Sequence, residues 1–449
     1  MSYYPIIGLE VHVELATKSG MFCGCPADSF GKEPNTNVCP VCLGLPGALP
    51  VPNKKAIEWT IMLGLALGCN INELSYFERK NYFYPDLPKG YQISQNVKPF
   101  CYEGKLGNIR INNIHLEEDT GKLIHQGEET FVDFNRSGVP LVEIVTEPDF
   151  RSIEEVDVYL KKLQRIIRYL GISNADMEKG SMRLEPSISM AKIKSQKSKV
   201  KSSNQNSKLL DGLDLPEYRV ELKNINSFRF CRRALEFEIH RQTEMLESGK
   251  TTTQETRGWN EIKNLTFPQR SKEEAHDYRY FPEPDIPPIR FAQDKIEELK
   301  TKIGELPEAK ANRFINQYGL TEYQAGILTE QKEMADYYEK VVGEMREMGE
   351  MRVTIANWII NKKIDWQKEP PESVAKKVAA SQQTVAVDEK ELEKIVQKVL
   401  AENPKVLEDY KNGKTQVLGV LIGKVVGISG ADPRTVKTFL ENYLPKPAG

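Results

Sequence analysis

Little in this chain of 449 residues is extreme, and what it lacks excludes several classes at once. Seven cysteines over such a length are too few for a disulfide framework. The longest apolar run, Ile61–Cys69, falls far short of the about 20 residues that a bilayer-spanning helix needs, and Glu58 stands just before it. The start, Met1-Ser2-Tyr3-Tyr4-Pro5, has neither the basic head nor the apolar run of a secretory leader, so a cytoplasmic protein is expected. Neither sign of charge dominates: 62 Lys and Arg against 64 Asp and Glu leave a formal net charge of −2, so any nucleic-acid surface has to be local. Gly-Lys-Thr occurs at 249–251 and 413–415, but Glu244 and Glu408 stand where a P-loop needs its earlier glycine. There is no Gly-x-Ser-x-Gly elbow, no cysteine in a nucleophile's setting and no repeat of fixed period. If such a chain handles ATP, it does so through metal-bound phosphates without a Walker cradle.

What is present begins in the stretch Ile6–Leu15, where apolar and polar residues alternate with period two, as in a half-buried strand. Leu9, Val11 and Val13 share one face; Glu10, His12 and Glu14 share the other. A solvated strand edge shows the same pattern. Two carboxylates flanking an imidazole are nevertheless costly unless a cation or a proton transfer uses them.

Residues 1–290 are rich in Gly, Pro, Tyr and short strand-like runs such as Phe131–Phe134 and Gly138–Val145. Two helices interrupt them. One opens at Ser152 with Glu155 three residues on, a capping box, runs along Val156, Leu160, Leu163, Ile167 and Leu170, and stops at Gly171. The other spans about Ser227 to Ser248, with Gly249 at its end. Residues 192–216 are Ser, Asn, Gln and Lys with few large apolars, a basic flexible loop that is either solvated or in contact with RNA. Proline-rich punctuation at 282–288 marks a boundary, after which long helical patterns take over: a helical domain over 291–372 and a tail domain over 385–449. In the tail, Asp432-Pro433 reads as an N-cap followed by proline at the first helical position.

Two clusters carry chemistry. Cys23, Cys25, Cys39 and Cys42 form two close pairs, which suits a closed, structural tetrahedral zinc site; four reduced thiols are the plainer alternative. Acidic residues beside turns recur in 115–122, 182–186, 220–224 and 254–257. Glu10, His12, Glu117, Glu118, Glu185 and Glu255 are candidate donors for magnesium, which takes hard oxygen ligands from separate segments. Glu117 and Glu118 are adjacent, so in a straight strand they face opposite ways, one a ligand and the other supporting it, unless a turn swings both inward. The segments 79–94 and 271–285 mix cations with aromatic rings. Each is either a packed loop or part of a nucleotide or acyl-phosphate site.

At these residues the chain resembles a known family. Gly8–Leu15, Cys39–Gly47, Lys80–Ser94, His115–Asp119, Glu221–Asn224, Gln254–Arg257 and Ala275–Asp285 are similar to the B component of the tRNA-dependent amidotransferase GatCAB, the GatB/GatE family. The resemblance covers nearly the whole chain and is densest over 5–290. It implies an α+β fold: a glutamine-synthetase-like catalytic cradle with a mostly antiparallel sheet, then an all-α helical domain and a small helical tail that meets tRNA. It implies ATP-dependent conversion of misacylated Glu-tRNA(Gln) or Asp-tRNA(Asn) to Gln-tRNA or Asn-tRNA, with GatA supplying ammonia and GatC completing the complex. It also implies Mg2+, ATP as substrate and a structural Zn2+ on the four cysteines. Carried over, Glu10, His12, Glu117, Glu118 and Glu255 fall on metal-binding positions, with Glu185 added to the catalytic set. Lys80, Lys89 and Arg257 are inferred phosphate contacts. The reading requires Glu10 and His12 to meet Glu255 across one cavity. Two departures stand out. Met182-Arg183-Leu184-Glu185-Pro186-Ser187 replaces the family's Met-Arg-Cys-Asp-Ala-Asn, and about one helical hairpin of the family pattern is missing between Lys368 and Val387. They motivate a second reading, a non-catalytic tRNA-binding scaffold; a third is a kinase of free small carboxylates.

Overall fold

The computed structural model describes residues 3–193, 213–250, 252–271, 278–345, 351–382, 389–412 and 414–444. Most of the expected basic loop at 192–216 lies outside these residues, as does part of the segment 271–285. The described chain forms two compact units, residues 1–310 with 329–332, and 311–328 with 333–449. The fold is α+β, with a mostly antiparallel sheet, as expected.

The first unit is built on a ten-stranded sheet. Its strands are β1 (Tyr3–Glu14), β2 (Asn70–Ile71), β3 (Cys101–Leu106), β4 (Ile109–Glu118), β5 (Pro140–Thr146), β6 (Met182–Ile193), β7 (Leu213–Asp214), β8 (Val220–Lys223), β9 (Glu255–Asn260) and β10 (Leu265–Ser271). They lie in the order β10-β9-β8-β6-β1-β5-β4-β3-β2, with β7 paired to β6. All neighbours are antiparallel except β8 and β9. The central position of β1 follows from its sequence: Ile7, Leu9, Val11 and Val13 are at most 2% exposed, so one whole side of this strand seeks a core.

That core lies between the sheet and helices α1 (Lys54–Ala66), α2 (Ile153–Leu170) and α3 (Phe228–Glu247). The helix signals operate as written. Ser152 Oγ accepts from Glu155 N at 3.2 Å, Gly171 closes α2 with φ +65°, and Ser227 caps α3. The Glu155 carboxylate reaches back to the amide of Arg151, one residue before the cap. Helix α1 was not expected; Asn53 caps it by accepting from Lys55 N and Ala56 N. Helix α4 (Gln293–Thr301) packs Ile296 and Leu299 inward and sets Lys295 3.3 Å from Glu58 of α1. The first unit therefore continues past the proline-rich stretch at which the boundary was expected.

The second unit is helical. Leu328, Tyr338, Ile355 and Val378 belong to one core, drawn from α5 (Pro307–Tyr318), α6 (Glu322–Leu328), α7 (Lys332–Glu344), α8 (Arg352–Ile360) and α9 (Pro371–Gln382). Leu392, Val396, Leu421, Val425, Val436 and Leu440 belong to another, drawn from α10 (Glu389–Glu402), α11 (Pro404–Lys411), α12 (Leu418–Ser429) and α13 (Pro433–Tyr443). Asp432 caps α13 as its sequence indicates, accepting from Arg434 N and Thr435 N. Among the described residues no helix is long and apolar enough to cross a membrane.

Candidate active site

The second face of the sheet is charged. Strand register brings its side chains into rows, because paired residues project to the same side. His12 on β1 stands opposite Glu143 on β5 and Arg183 on β6. Glu143 in turn stands opposite His115 on β4. Glu143 bridges the two imidazoles, 3.2 Å from His12 Nε2 and 3.1 Å from His115 Nε2. Glu117 lies 3.9 Å from His12 and 3.8 Å from His115, and accepts from Ser94 Oγ at 2.9 Å. His115 Nδ1 is satisfied by Asn113 Oδ1 at 2.9 Å, which leaves Nε2 facing the carboxylates.

Electrostatics mark this face as short of positive charge. Burial raises the Glu10 carboxyl to about 7, helped by Glu143, Glu185 and Glu221. Burial likewise raises Glu14 to about 8, with Asp119 the largest charge contribution. Burial opposes charge on His12, but Glu143 overrides it and lifts the imidazole to about 9. Glu143 itself is held well below the usual carboxylate range: burial works against this, and His115 and His12 outweigh it. Protons thus occupy a face whose carboxylates suit a cation.

The residues fit one. One donor atom each from His12, Glu117 and Glu143 lies within 4.8 Å of the others. An octahedral magnesium ion spaces its ligand atoms by about 3–4 Å, so a small closure completes the set. Lys80 approaches from a separate three-stranded sheet of Glu78–Asn81, Tyr91–Ser94 and Phe281–Pro282. Its ammonium lies 4.9 Å from the Tyr278 ring, and Glu117, Tyr280 and Glu143 keep it charged against burial. Arg79 holds that sheet together through Glu283, at 2.6 and 2.8 Å, and stacks on Tyr91 at 4.3 Å. The two aromatic and cationic segments read from the sequence thus meet here.

Not every expected residue joins the cluster. Glu185 does share the face, opposite Glu10 in register, but it is engaged by Lys223 at 2.7 Å. Glu118 points the other way, as alternation requires, to Lys89 and to the amide of Ile93 at 3.0 Å. Lys89 is therefore a carboxylate's partner. Glu255 and Arg257 are the clear corrections. They pair with Val220 and Leu222, whose side chains belong to the helix-covered core. There Arg257 meets Glu255 and Glu238 at 3.1 Å, and Arg241 meets Glu255 at 3.0 Å. Strands β8 and β6 also separate β9 from β1, so Glu255 is about 14 Å away across the sheet as well as on its other side; the meeting of Glu10 and His12 with Glu255 that the sequence reading required does not occur, and Glu143 stands in the cation group instead. Sequence reasoning missed Glu143, His115 as a site residue, and Lys223. The signal for Glu143 was legible: it is the lone charge in the apolar run Val139–Val145, and a buried strand carries no unpartnered acid.

The four cysteines also converge, their Sγ atoms within 4.8 Å of one another. Cys39 and Cys42 sulfurs are 3.8 Å apart, the edge of a tetrahedron with Zn–S bonds of about 2.3 Å. The thiol of Cys23 donates to Cys42 and lowers it to about 5 against the effect of burial, so one thiolate is already favoured. Cys69, Cys101 and Cys231 are buried outside this group.

A sheet with one face packed by helices and the other carrying a cation-binding group is the layout of an enzyme that handles anionic substrates. Residues 5–297 match the GatB/GatE catalytic domain and residues 325–444 the GatB domain. The B component of the aspartyl/glutamyl-tRNA(Asn/Gln) amidotransferase of Thermoanaerobacter sp. (strain X514) is 43% identical over 99% of this chain and 100% of its own length. Its namesakes in Persephonella marina, 43% identical over 99% and 100%, and Thermotoga maritima, 42% identical over 99% and 99%, are equally full-length matches. The chain belongs to the GatB/GatE family and has the role of an amidotransferase.

Proposed function

We propose that this chain activates the side-chain carboxylate of glutamate or aspartate esterified to tRNA, and that ammonia then converts it to the amide. A carboxylate is a poor electrophile. Its oxygen attacks the terminal phosphorus of ATP, ADP leaves, and an acyl phosphate results. Ammonia attacks the acyl carbon, phosphate leaves and one proton is released. Two anions must meet in the first step, so the site has to neutralise charge. His12, Glu117 and Glu143 would hold Mg2+, with Glu10 and Glu185 beside them. The ion would supply the positive charge that lets phosphates approach carboxylates. Lys80 adds a fixed cation at the same place and orients phosphate oxygens. The four cysteines would hold Zn2+ as a structural staple, since they leave no open coordination position. Ammonia would come from an amidase partner, GatA, with GatC completing the assembly.

The observation that carries this reading is the buried His12–Glu117–Glu143 group with Lys80 beside it, in a chain of this family. The test supplies ATP, misacylated tRNA and ammonium chloride to the chain assembled with its partners. The expected outcome is ADP release that requires the misacylated tRNA, with amide product in step. ADP release from free glutamate would favour a small-molecule kinase, and no release at all a scaffold.

A further inference from the structure

Strand β4 changes phase part-way along, and the change is visible in its sequence. Ile109 and Ile111 are core residues, and so are Ile114 and Leu116. No unbroken strand keeps all four on one face, because Ile111 and Ile114 are an odd number of residues apart. One residue too many has to be absorbed between them. The pairing shows where: Val145 of β5 stands opposite Asn113, but the next residue, Thr146, stands opposite Ile111. Asn112 is therefore the surplus residue of a β-bulge, a device that re-aims side chains. Without it, Asn112 would project into the core beside Ile114.

The bulge lets two consecutive asparagines act together. Asn112 Nδ2 donates to Glu147 Oε1 at 2.7 Å, and Asn113 Nδ2 donates to Asn112 Oδ1 at 2.9 Å. Asn113 Oδ1 then lies 2.9 Å from His115 Nδ1, and His115 Nε2 lies 3.1 Å from Glu143. A carboxylate only accepts, so Glu147 at the outer end decides the sense of every bond that follows. Each amide turns its nitrogen outward and its oxygen inward. The oxygen that reaches His115 accepts from Nδ1, and Nε2 is the ring nitrogen left for Glu143. The row thus runs from the exposed Asn112 to the buried Glu143 of the cation group.

We propose that Asn113 is a positioning residue for the cation group. Backed by Asn112 and Glu147, it fixes the His115 ring, and the ring fixes the Glu143 carboxylate where Mg2+ would be held. The assignment rests on the functional reading above. The outer torsion of a histidine is broad and roughly two-fold, so the ring takes its orientation from what it touches. Asn113 on one nitrogen and Glu143 on the other supply that orientation. Glu143 is shared with His12 at 3.2 Å, so a turned His115 ring would also disturb the donor set on β1. Partners one contact removed from a metal-binding group change metal affinity by about 10–100-fold when they are lost.

The test measures Mn2+ affinity of the full-length chain by electron paramagnetic resonance, with thermal melts beside it. The proteins are wild type, Asn113→Leu, His115→Gln, the double variant and Asn112→Ala. Asn113→Leu should weaken Mn2+ about tenfold. The double variant should bind no more weakly than His115→Gln alone, because the asparagine acts only through the ring. Asn112→Ala, a change at an exposed residue, should give a smaller loss in the same direction. Unchanged Mn2+ affinity in Asn113→Leu overturns the assignment, and so do losses that simply add in the double variant. A lowered melting temperature with normal Mn2+ binding would make the bulge a structural feature alone and overturn it too. If Asn113→Leu does not fold, Asn112→Ala decides, and unchanged affinity there is the contrary result. Failure of wild type to bind Mn2+ at all would overturn the functional reading along with it.

Discussion

The two faces of the central sheet both bury charge, and they do so in opposite ways. On the helix-covered face, Glu238, Arg241, Glu255 and Arg257 form a closed group in which Thr266 and Gln242 also donate to Glu238. Nothing there waits for a partner from outside. On the other face, burial first and neighbouring carboxylates second raise Glu10 to about 7 and Glu14 to about 8, and Glu143 lifts His12 to about 9 against its burial. A balanced buried network is a structural device; an unbalanced one awaits a charged ligand.

The sharpest way to break this comparison is to make the same substitution on each face. Glu238→Gln should leave two arginines underpaired in the core and lower stability by about 3–5 kcal/mol in denaturant melts, while the folded fraction keeps near-normal turnover. Glu143→Gln should do the reverse: amide formation from ammonium should fall about 100-fold or more, with a much smaller change in the melt. If both variants lose activity and stability alike, the two faces do not differ in the way described. The cysteine group offers a third case of buried polar atoms. Cys39→Ser should take the zinc content from one per chain to none and lower the melting temperature, both measured on purified protein.

A gentler test is pH. Glu10 and Glu14 titrate higher in the fold than their ordinary value of 4.5, so the stability they contribute is complete below that pH. It is lost as pH rises through about 7 and about 8. His12, raised from 6.5 to about 9, adds stability that disappears as pH climbs through that value. Magnesium-free protein should therefore melt at progressively lower temperature from about pH 5 to about pH 9, and added Mg2+ should flatten the slope. The smallest effect belongs to Glu255→Gln, which should change turnover only a few-fold. A collapse of activity at that position would restore Glu255 to the cation group.

Much of this was legible in the sequence. Period-two alternation in β1 gave the shared face of Glu10 and His12 and the buried face of Leu9, Val11 and Val13. Ser152, Gly171, Ser227 and Asp432 set helix ends where capping chemistry places them. The spacing of the cysteines foretold their convergence. What stayed hidden depends on register and strand order. Whether Glu255 meets β1 is decided by which side of β9 it occupies and by the two strands between, and neither is written locally. Alternation did separate the consecutive Glu117 and Glu118, one meeting the histidines and the other Lys89, where the resemblance alone had placed both on the metal.

The most direct measurement is a titration of the metal-free chain with Mn2+, as a paramagnetic substitute for Mg2+, followed by electron paramagnetic resonance in wild type, His12→Ala and Glu143→Gln. Tight Mn2+ binding with nitrogen coupling in wild type, weakened at least tenfold in both variants, is the outcome expected. Binding that is indifferent to both substitutions would place the cation elsewhere and contradict the account.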